Sequence, residues 1–240
     1  MLIGVISDIH SNAEALTKVM TSLNEKKVDK VVCLGDVVGY GPDPEECIDL
    51  IKNLTKNIVA GNHDYGVGGL TQESYFSPIA KSCIDWTKQR LDQGRLTFLR
   101  ILPLSINWGS VLFLHSSPDA PDMWNYIMTS SDAIVQFRFF EQNLLFVGHT
   151  HIPGIWDETG KFLPINDQPF KLDTKRRFII NPGSVGQPRD GNPDSSFAIF
   201  DTDKWVVKFY RVKYDVESTS AKIKNAELPL ILSERIKWGQ

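Results

Sequence analysis

Residues 2–10 read Leu-Ile-Gly-Val-Ile-Ser-Asp-Ile-His. The apolar run over 2–6 is typical of a short buried strand, and Asp8 and His10 follow it directly. These two residues are two positions apart where a strand runs into a loop, so both side chains can turn toward one point. Ligands of open α/β sheets bind at the carboxyl ends of the strands. The start of the chain therefore predicts a buried strand that brings two metal-binding side chains to a sheet edge.

The next 50 residues alternate between helix and strand patterns. A capping box at Ser11 predicts the start of a helix, and an apolar run predicts a strand over 31–34. A second helix is expected to begin at Pro44, because proline favours the first helical position. A third strand is expected over 57–60. This alternation predicts parallel strands with right-handed crossovers and an α/β fold.

The second half of the chain has more closely spaced strand patterns. Two of them flank the turn at Trp108-Gly109 and predict a hairpin of 104–108 with 110–115. Four further strands are expected over 144–147, 177–180, 197–200 and 206–210. Helices are expected from about Pro78, over 133–140, and over 215–238 with a break at Pro229.

Composition excludes several classes of protein. The chain has 240 residues, of which 42% are hydrophobic and 23% are charged, so it has enough apolar residues for a full core. The net charge of −3 provides no basic excess for a stable nucleic-acid partner. No apolar run approaches the ~20 residues of a membrane span. We expect one domain over residues 1–240 and no membrane partner, while the oligomeric state stays open.

The beginning of the chain and its cysteines bear on location. Met1 leads directly into a strand pattern and not into a signal peptide. The cysteines are Cys33, Cys47 and Cys83, an odd number without a Cys-x-x-Cys pair. Buried thiols in a reducing compartment fit this usage, so we expect a cytoplasmic protein.

All five histidines lie in short segments at or just after the ends of expected strands. Taken singly, each segment has an ordinary explanation as a turn or a cap. Their joint occurrence favours one shared site. The segments are Asp8-Ile9-His10, Gly35-Asp36, Gly61-Asn62-His63-Asp64, His115 and Gly148-His149-Thr150-His151.

The types of side chain in these segments indicate the metal chemistry. Imidazoles, carboxylates and one carboxamide, without thiolate, suit Mn, Fe or Zn better than an iron–sulfur cluster. Seven donors are too many for one catalytic ion that keeps an open position. They suit two ions about 3.5–4 Å apart bridged by a carboxylate, an arrangement used in phosphoryl chemistry. We therefore expect a binuclear metal site.

The ordered set of segments resembles the calcineurin-like metallophosphoesterase family. The resemblance continues through Asn-Pro-Gly-Ser-Val-Gly at 181–186, a family loop near the site. Gly-Tyr-Gly-Pro at 39–42 and Leu228-Pro229 resemble a bacterial and archaeal subgroup. Its members are often labelled diadenosine tetraphosphatase-like or serine/threonine phosphatase-like. The resemblance implies a four-layer α/β/β/α sandwich, with two mixed sheets flanked by helices.

The resemblance also implies a role for each matching residue. The first metal ion would be held by Asp8, His10 and His151, the second by Asn62, His115 and His149, and Asp36 would bridge both. His63 would be the acid that protonates the leaving oxygen. It would not be a ligand, because neighbours on an extended loop point to opposite sides. Manganese is the expected metal, with Fe, Zn or Ni as alternatives. Asp36 and His63 would be the catalytic residues, and Asn62 and Arg189 would contact substrate.

The resemblance implies hydrolysis of a phosphate ester by a hydroxide that bridges two metal ions. Protein phosphatases of the family carry an Asp-Arg pair after the bridging aspartate, where this chain has Gly39-Tyr40. A small phosphodiester or nucleotide substrate is therefore expected. The alternatives are a dinucleoside polyphosphate hydrolase, a phosphomonoesterase or protein phosphatase, and a non-catalytic binding module. That last alternative is disfavoured because every motif position is filled.

Three further residues keep two interpretations each. Arg189 either contacts phosphate or is a surface charge. Trp124 and Tyr126 either stack on a base or pack beneath their own loop.

Overall fold

Two mixed sheets form the centre of the computed structural model, which describes residues 1–166 and 168–240. The first sheet contains, in spatial order, β2 (Lys30–Cys33), β1 (Leu2–Ile6), β10 (Ser195–Asp201), β11 (Val206–Val212) and β8 (Phe170–Lys171). In it, β1 is parallel to β2 and antiparallel to β10. The parallel crossover expected at the start of the chain is therefore confirmed.

The second sheet has six strands. Their spatial order is β3 (Ser105–Trp108), β4 (Val111–Leu114), β5 (Leu144–Phe146), β9 (Phe178–Asn181), β6 (Gly154–Asp157) and β7 (Phe162–Pro164). The expected hairpin is confirmed as the antiparallel pair β3–β4, while β5 is parallel to both β4 and β9.

Eight helices are present among the described residues. They are α1 (Ala13–Glu25), α2 (Pro44–Leu54), α3 (Asn62–Gly68), α4 (Pro78–Arg90), α5 (Gln93–Arg100), α6 (Ser130–Gln136), α7 (Val216–Asn225) and α8 (Leu230–Trp238). Short 3₁₀ turns lie at Glu73–Tyr75 and Pro121–Met123. No helix within the described ranges has the length and apolar character required to cross a bilayer.

Alternation along the strands produces four layers. On β1, Ile3 and Val5 join a cluster that includes Phe113 and Phe146 of the second sheet, so the two sheets pack face to face. Ile6, on the opposite face of β1, packs with α1 and α2. On β5, Leu145 faces outward and packs with Phe137, which follows α6. This is the α/β/β/α arrangement of the sequence-based prediction, and it is confirmed.

Three local predictions are wrong: one helix cap, one strand and one helix end. The cap of α1 is Asn12 and not Ser11, since the Asn12 Oδ1 accepts from the Ala15 amide at 3.0 Å. Ser11 instead takes a left-handed φ of 52°, and its amide donates to the Val37 carbonyl at 3.0 Å. The expected strand at 57–60 is a single bridge between Cys33 and Ile58. The helix expected over 133–140 already ends at Gln136.

We expect Phe146→Ala to lower the free energy of unfolding by about 3–5 kcal/mol, because it removes a large side chain from a close-packed interior. Phe146 is fully buried and stacks on Phe113 with ring centres 5.4 Å apart. Urea unfolding followed by circular dichroism measures the change. Phe139 is 51% exposed and serves as the control, and Phe139→Ala should stay within about 0.5 kcal/mol of the parent. Similar losses in the two variants would contradict the assignment of this inter-sheet core.

Candidate metal centre

Loops that follow strands bring the expected donor side chains to one place. Asp8 and His10 come after β1, Asp36 after β2, His115 after β4, and His149 with His151 after β5. Asn62 and His63 are the first two residues of α3. All eight side chains are buried, with exposures of 5% or less.

One group of donors lies around Asp8. The His151 Nε2 is 3.3 Å from the Asp8 Oδ1 and 3.1 Å from the His10 Nε2. The His10 Nε2 is in turn 3.6 Å from the Asp36 Oδ2. Asp8, His10 and His151 each offer an atom within 4.8 Å of the others, a spacing that one metal ion can span.

A second group lies on the other side of Asp36. The His115 Nε2 is 3.4 Å from the same Asp36 Oδ2, 3.1 Å from the His149 Nδ1 and 3.2 Å from the Asn62 Oδ1. Asp36, His115 and His149 again lie within 4.8 Å of one another. One carboxylate oxygen therefore faces both groups, a position compatible with the expected bridging role of Asp36.

Backbone carbonyls fix the orientation of four imidazoles. A carbonyl only accepts, so each ring nitrogen that faces one must donate to it. The pairs are His10 Nδ1 with Val38 O at 3.2 Å, His115 Nδ1 with Leu34 O at 2.7 Å, His151 Nδ1 with Gln187 O at 2.6 Å, and His149 Nε2 with Trp124 O at 2.8 Å. Histidines that bind metals are oriented in this way.

This orientation makes the site fit a cation. In the neutral rings of His10 and His151 the Nε2 atoms carry lone pairs, and these face each other at 3.1 Å. The lone pair of the His149 Nδ1 points in the same way at the His115 Nε2, 3.1 Å away. Burial lowers the pKa values of His10, His149 and His151 well below their usual value, so these rings do not protonate readily. Converging lone pairs beside two carboxylates repel one another unless a positive charge lies between them.

The carboxylates and His115 carry the charge of the metal-free site. Burial disfavours the Asp36 carboxylate, but His115 and His63 outweigh it and hold the pKa of Asp36 well below its usual range. Burial also lowers the pKa of His115, but Asp36 more than compensates and raises it to about 9. Burial raises the pKa of Asp8 to about 6. A metal ion bound here would displace the His115 proton, because ligands must be deprotonated.

The His63 ring differs from the other four imidazoles in its hydrogen bonding. Its amide donates to the Asp36 Oδ1 at 2.8 Å, whereas its buried Nδ1 has no hydrogen-bond partner in the described parts of the chain. The ring packs against Tyr40 with centres 4.4 Å apart. It also lies within 4.8 Å of donor atoms of His10 and Asp36, so proximity alone does not separate an acid from a ligand.

The sequence argument for separating Asn62 from His63 is corrected by α3. The two residues begin a helix and not an extended loop. Their side chains still diverge, since successive helical positions differ by about 100°. Gly39 makes room for the His63 ring: its φ is +97°, and a Cβ there would lie 2.5 Å from the His63 Nδ1.

Asp64 holds the two loops together. Its Oδ1 accepts from the amides of Val37 and Val38 at 2.9 and 3.2 Å, and its Oδ2 accepts from the Gly61 amide at 3.0 Å. These contacts tie the loop after β2, which carries Asp36, to the start of α3. The sequence segment contains Asp64, but only the fold reveals these partners.

The loop at 181–186 lies next to the site, as expected, and its residues hydrogen-bond to the two loops that carry Asp8 and His149. The Asn181 Nδ2 donates to the Gly148 carbonyl at 2.7 Å and to the Thr150 Oγ1 at 2.9 Å. The Ser184 Oγ donates to the Asp8 carbonyl at 2.7 Å, and the Gly186 amide donates to the same carbonyl at 2.9 Å. The loops after β1 and β5 are thus held in register.

A pocket of about 120 Å³ opens over the donors and includes Arg189 in its lining. The Arg189 guanidinium donates to the Gln187 Oε1 at 2.9 Å and lies 5.8 Å from the centre of the Tyr40 ring. Tyr126 also lines the pocket and stacks on His149 at 3.9 Å. Burial raises the pKa of Tyr126, and the nearby guanidinium opposes this rise. Arg189 is therefore part of the pocket wall and not a remote surface charge.

Trp124 contributes through its backbone, which the sequence did not indicate. Its side chain is 1% exposed, so it packs beneath its loop and does not stack on a ligand in the pocket. Its carbonyl accepts from the His149 Nε2 and leaves the Nδ1 of that ring facing His115. No sequence signal marks a carbonyl for this role.

Comparison with known proteins identifies the family. Residues 1–205 match the model of the calcineurin-like phosphoesterase superfamily domain. The chain belongs to this family. The resemblance inferred from the ordered segments is therefore confirmed, and the match of a metal-dependent family agrees with the buried histidine and aspartate clusters.

Individual relatives resemble the chain over its whole length. An uncharacterized protein of Methanocaldococcus jannaschii is 41% identical over 243 residues, covering 100% of this chain and 98% of the relative. The crystal structure of a metallophosphoesterase from Sphaerobacter thermophilus is 38% identical, has a TM-score of 0.91 and matches 100% of both chains. A hypothetical protein from Pyrococcus horikoshii shares the fold, with a TM-score of 0.81, 24% identity and coverage of 100% and 98%.

We expect Asp36→Asn to impair binding at both metal positions of this phosphoesterase, because a neutral amide bridges two cations poorly. Metal analysis after loading with Mn²⁺ should give about two ions per chain in the parent and fewer than about one in the variant. Asp203 is 81% exposed, and Asp203→Asn is the control that should retain the parental content. A parent that holds one tight ion and no second would contradict the bridged pair.

Removal of the metal tests whether the centre is needed for the fold. Chelation should abolish hydrolysis but leave the far-ultraviolet circular dichroism spectrum largely unchanged, since the two sheets have an apolar core of their own. Loss of cooperative unfolding after chelation would instead make the metal a structural requirement.

Proposed function

We propose that this chain is a metal-dependent hydrolase of phosphate esters whose substrate is a small phosphodiester or nucleotide. The observation that carries the proposal is the single Asp36 Oδ2, which faces both His10 and His115 at 3.6 and 3.4 Å in a buried pocket. Two divalent ions held there would act as Lewis acids, lower the pKa of a bound water and neutralise charge on the phosphoryl oxygens. Manganese is the metal proposed before Fe, Zn or Ni. Family membership supports the reaction class.

The ligand assignment follows the two donor groups. Asp8, His10 and His151 are proposed for one ion and Asn62, His115 and His149 for the other, with Asp36 shared. The carbonyl partners of the four imidazoles support this set, because they present the free ring nitrogens to the space between the donors.

His63 is proposed as the acid that protonates the leaving oxygen. Burial lowers its pKa to about 4 in the free protein. An anionic phosphoryl group in the same pocket would favour the protonated imidazole. The position of His63 supports this role, since it lines the pocket together with Asp36 and Asn62.

Arg189 is proposed as a substrate contact. It lines the pocket with Asn62 and His63, and Gln187 restrains its guanidinium. A guanidinium pairs well with phosphoryl oxygens because its donors form a rigid fork. Tyr40 occupies the region in which family protein phosphatases carry their arginine. In this chain the guanidinium proposed to bind phosphate belongs instead to Arg189, in the loop after residue 186.

The whole chain is proposed as one cytoplasmic domain. The family match ends at residue 205, but the two C-terminal helices pack on the rest of the fold. Ile223 of α7 and Leu232 of α8 share a cluster with Cys83 of α4, and the Trp86 Nε1 donates to the Ala226 carbonyl at 3.0 Å. The three cysteines are buried and free, as suits a reducing compartment.

We expect His63→Ala to keep both metal ions and to slow the cleavage of an alkyl or nucleoside ester by up to about 10²–10⁴-fold. A nitrophenyl ester should be slowed far less, because nitrophenolate departs without protonation. Steady-state kinetics with the two esters and metal analysis of the variant provide the test. Loss of an ion, or equal slowing of both esters, would make His63 a ligand or a positioning residue.

We also expect a bis-aryl phosphodiester or a nucleotide anhydride to be cleaved at least about tenfold more efficiently than a phosphoserine peptide. The reason is the absence of the Asp-Arg pair near Gly39-Tyr40. A panel in Mn²⁺ buffer that includes a phosphomonoester measures kcat/KM for each class. A clear preference for the peptide would assign the chain to the protein phosphatases.

A further inference from the structure

A larger groove of about 720 Å³ adjoins the pocket over the metal ligands. Its lining includes Tyr65, Leu70, Thr71, Tyr75, Met123 and Trp124, and we call it the side groove. We propose that the side groove binds an uncharged aromatic arm of a phosphodiester substrate, such as a nucleoside, while the phosphoryl group lies over the metal ligands. This inference rests on the proposed phosphoesterase function and specifies its substrate class.

The side groove and the pocket share a wall. Tyr75 lines both spaces. Its hydroxyl donates to the Trp124 carbonyl at 2.9 Å, and that carbonyl also accepts from the His149 Nε2 at 2.8 Å. Only one backbone carbonyl therefore separates a wall of the side groove from a proposed metal ligand. In the proposed binding mode, one ester arm of a substrate at the proposed metal ligands reaches past Tyr75 into the side groove.

The lining has the chemistry of a site for a flat ring with polar edges. Leu70, Tyr75 and Met123 are 54%, 42% and 58% exposed. Large apolar side chains gathered on an open surface mark ligand grooves more often than plain surface. Gln72 and Asp122 add hydrogen-bonding groups to the same lining. An acyl chain would leave these polar groups unused, whereas a nucleobase has donors and acceptors for them.

The charged residues that line the pocket and the side groove favour a substrate with one phosphate over a polyphosphate. Arg189 is the only lysine or arginine among the described residues that line the pocket. In the described lining of the side groove the only charged side chain is Asp122, which is acidic. A dinucleoside polyphosphate carries several anionic phosphates, and cationic side chains are their strongest partners. One phosphoryl group and a neutral arm match this distribution better.

The shared wall is held in a specific conformation. Trp124 has a φ of 53°, which is unusual for a bulky residue. Its Nε1 donates to the Thr71 Oγ1 at 3.3 Å, and its ring meets Tyr65 edge-on with centres 5.6 Å apart. Backbone strain of this kind concentrates at functional sites, where surrounding contacts maintain it. A fixed wall allows the side groove to select a ring by shape.

Two esters with the same leaving group test the side groove. In thymidine 5′-(4-nitrophenyl) phosphate and methyl 4-nitrophenyl phosphate, water attacks phosphorus and the bond to nitrophenolate breaks. The two differ only in the retained arm. The parent should favour the thymidine ester by at least about tenfold in kcat/KM, with the change mainly in KM. No preference in the parent would overturn the proposal.

Filling the side groove should remove this preference. Ser74 is an exposed lining residue, so Ser74→Trp adds bulk without disturbing the core. The ratio of kcat/KM for the two esters should fall to within about twofold of unity. Ser82 is exposed on α4 and is not among the side-groove residues, so Ser82→Trp is the control that should keep the parental ratio. An unchanged ratio in Ser74→Trp would overturn the proposal.

Direct binding separates this inference from the proposed function. Calorimetry with thymidine and the Mn²⁺-loaded protein requires no hydrolysis. Thymidine should bind the parent and Ser82→Trp alike, and bind Ser74→Trp at least about tenfold more weakly. Failure to cleave either ester would refute the proposed function, whereas absent or undiminished thymidine binding would refute the side groove. Faster cleavage of diadenosine tetraphosphate than of the thymidine ester would also overturn the single-phosphate assignment.

Discussion

The Asp36 carboxylate is the group on which the rest of the site depends. It is 1% exposed, and its two oxygens meet different partners. Oδ2 faces the His10 and His115 rings, while Oδ1 accepts from the His63 amide. A buried carboxylate is tolerated only with such compensation, since desolvation of an unpaired charge is costly. Both groups of donors and the start of α3 are therefore arranged around one side chain.

Holding that arrangement requires unusual backbone geometry. Among the described residues, eight of the eleven non-glycine residues with positive φ lie in the loops around the site: Asp8, His10, Ser11, Asp36, Tyr40, Trp124, His149 and His151. Left-handed conformations cost about 1–2 kcal/mol for most residues, although aspartate and histidine tolerate them better. The hydrogen bonds that Asp64 accepts, those that Asn181 and Ser184 donate, and the core between the sheets stabilise these loops.

In the proposed binding mode, the pocket and the side groove recognise different parts of the substrate. The pocket combines the metal donors with one guanidinium, so it suits a single phosphoryl group. The side groove supplies apolar and hydrogen-bonding surface without a described cation. Trp124 links them, because its carbonyl orients His149 and accepts from the Tyr75 hydroxyl, and both Tyr75 and Trp124 line the side groove. Through this shared residue, changes in the side groove can affect the orientation of a metal ligand.

The sequence was sufficient to predict the strand-end segments and their donor side chains, and through the resemblance to the family it also indicated the layered fold. Strand patterns ending in aspartate or histidine are local signals, because apolar runs and ligand types are read along the chain. It did not determine the cap at Asn12, the helix that begins at Asn62, or the single bridge at Ile58. In these places distant contacts outweigh local preference, because the Ser11 amide donates to the Val37 carbonyl and the Ala60 amide donates to the Pro103 carbonyl. The carbonyl that orients each imidazole, and the position of Tyr75 and Trp124 between the pocket and the side groove, became apparent only in the fold, because those contacts join residues 25 to 81 positions apart.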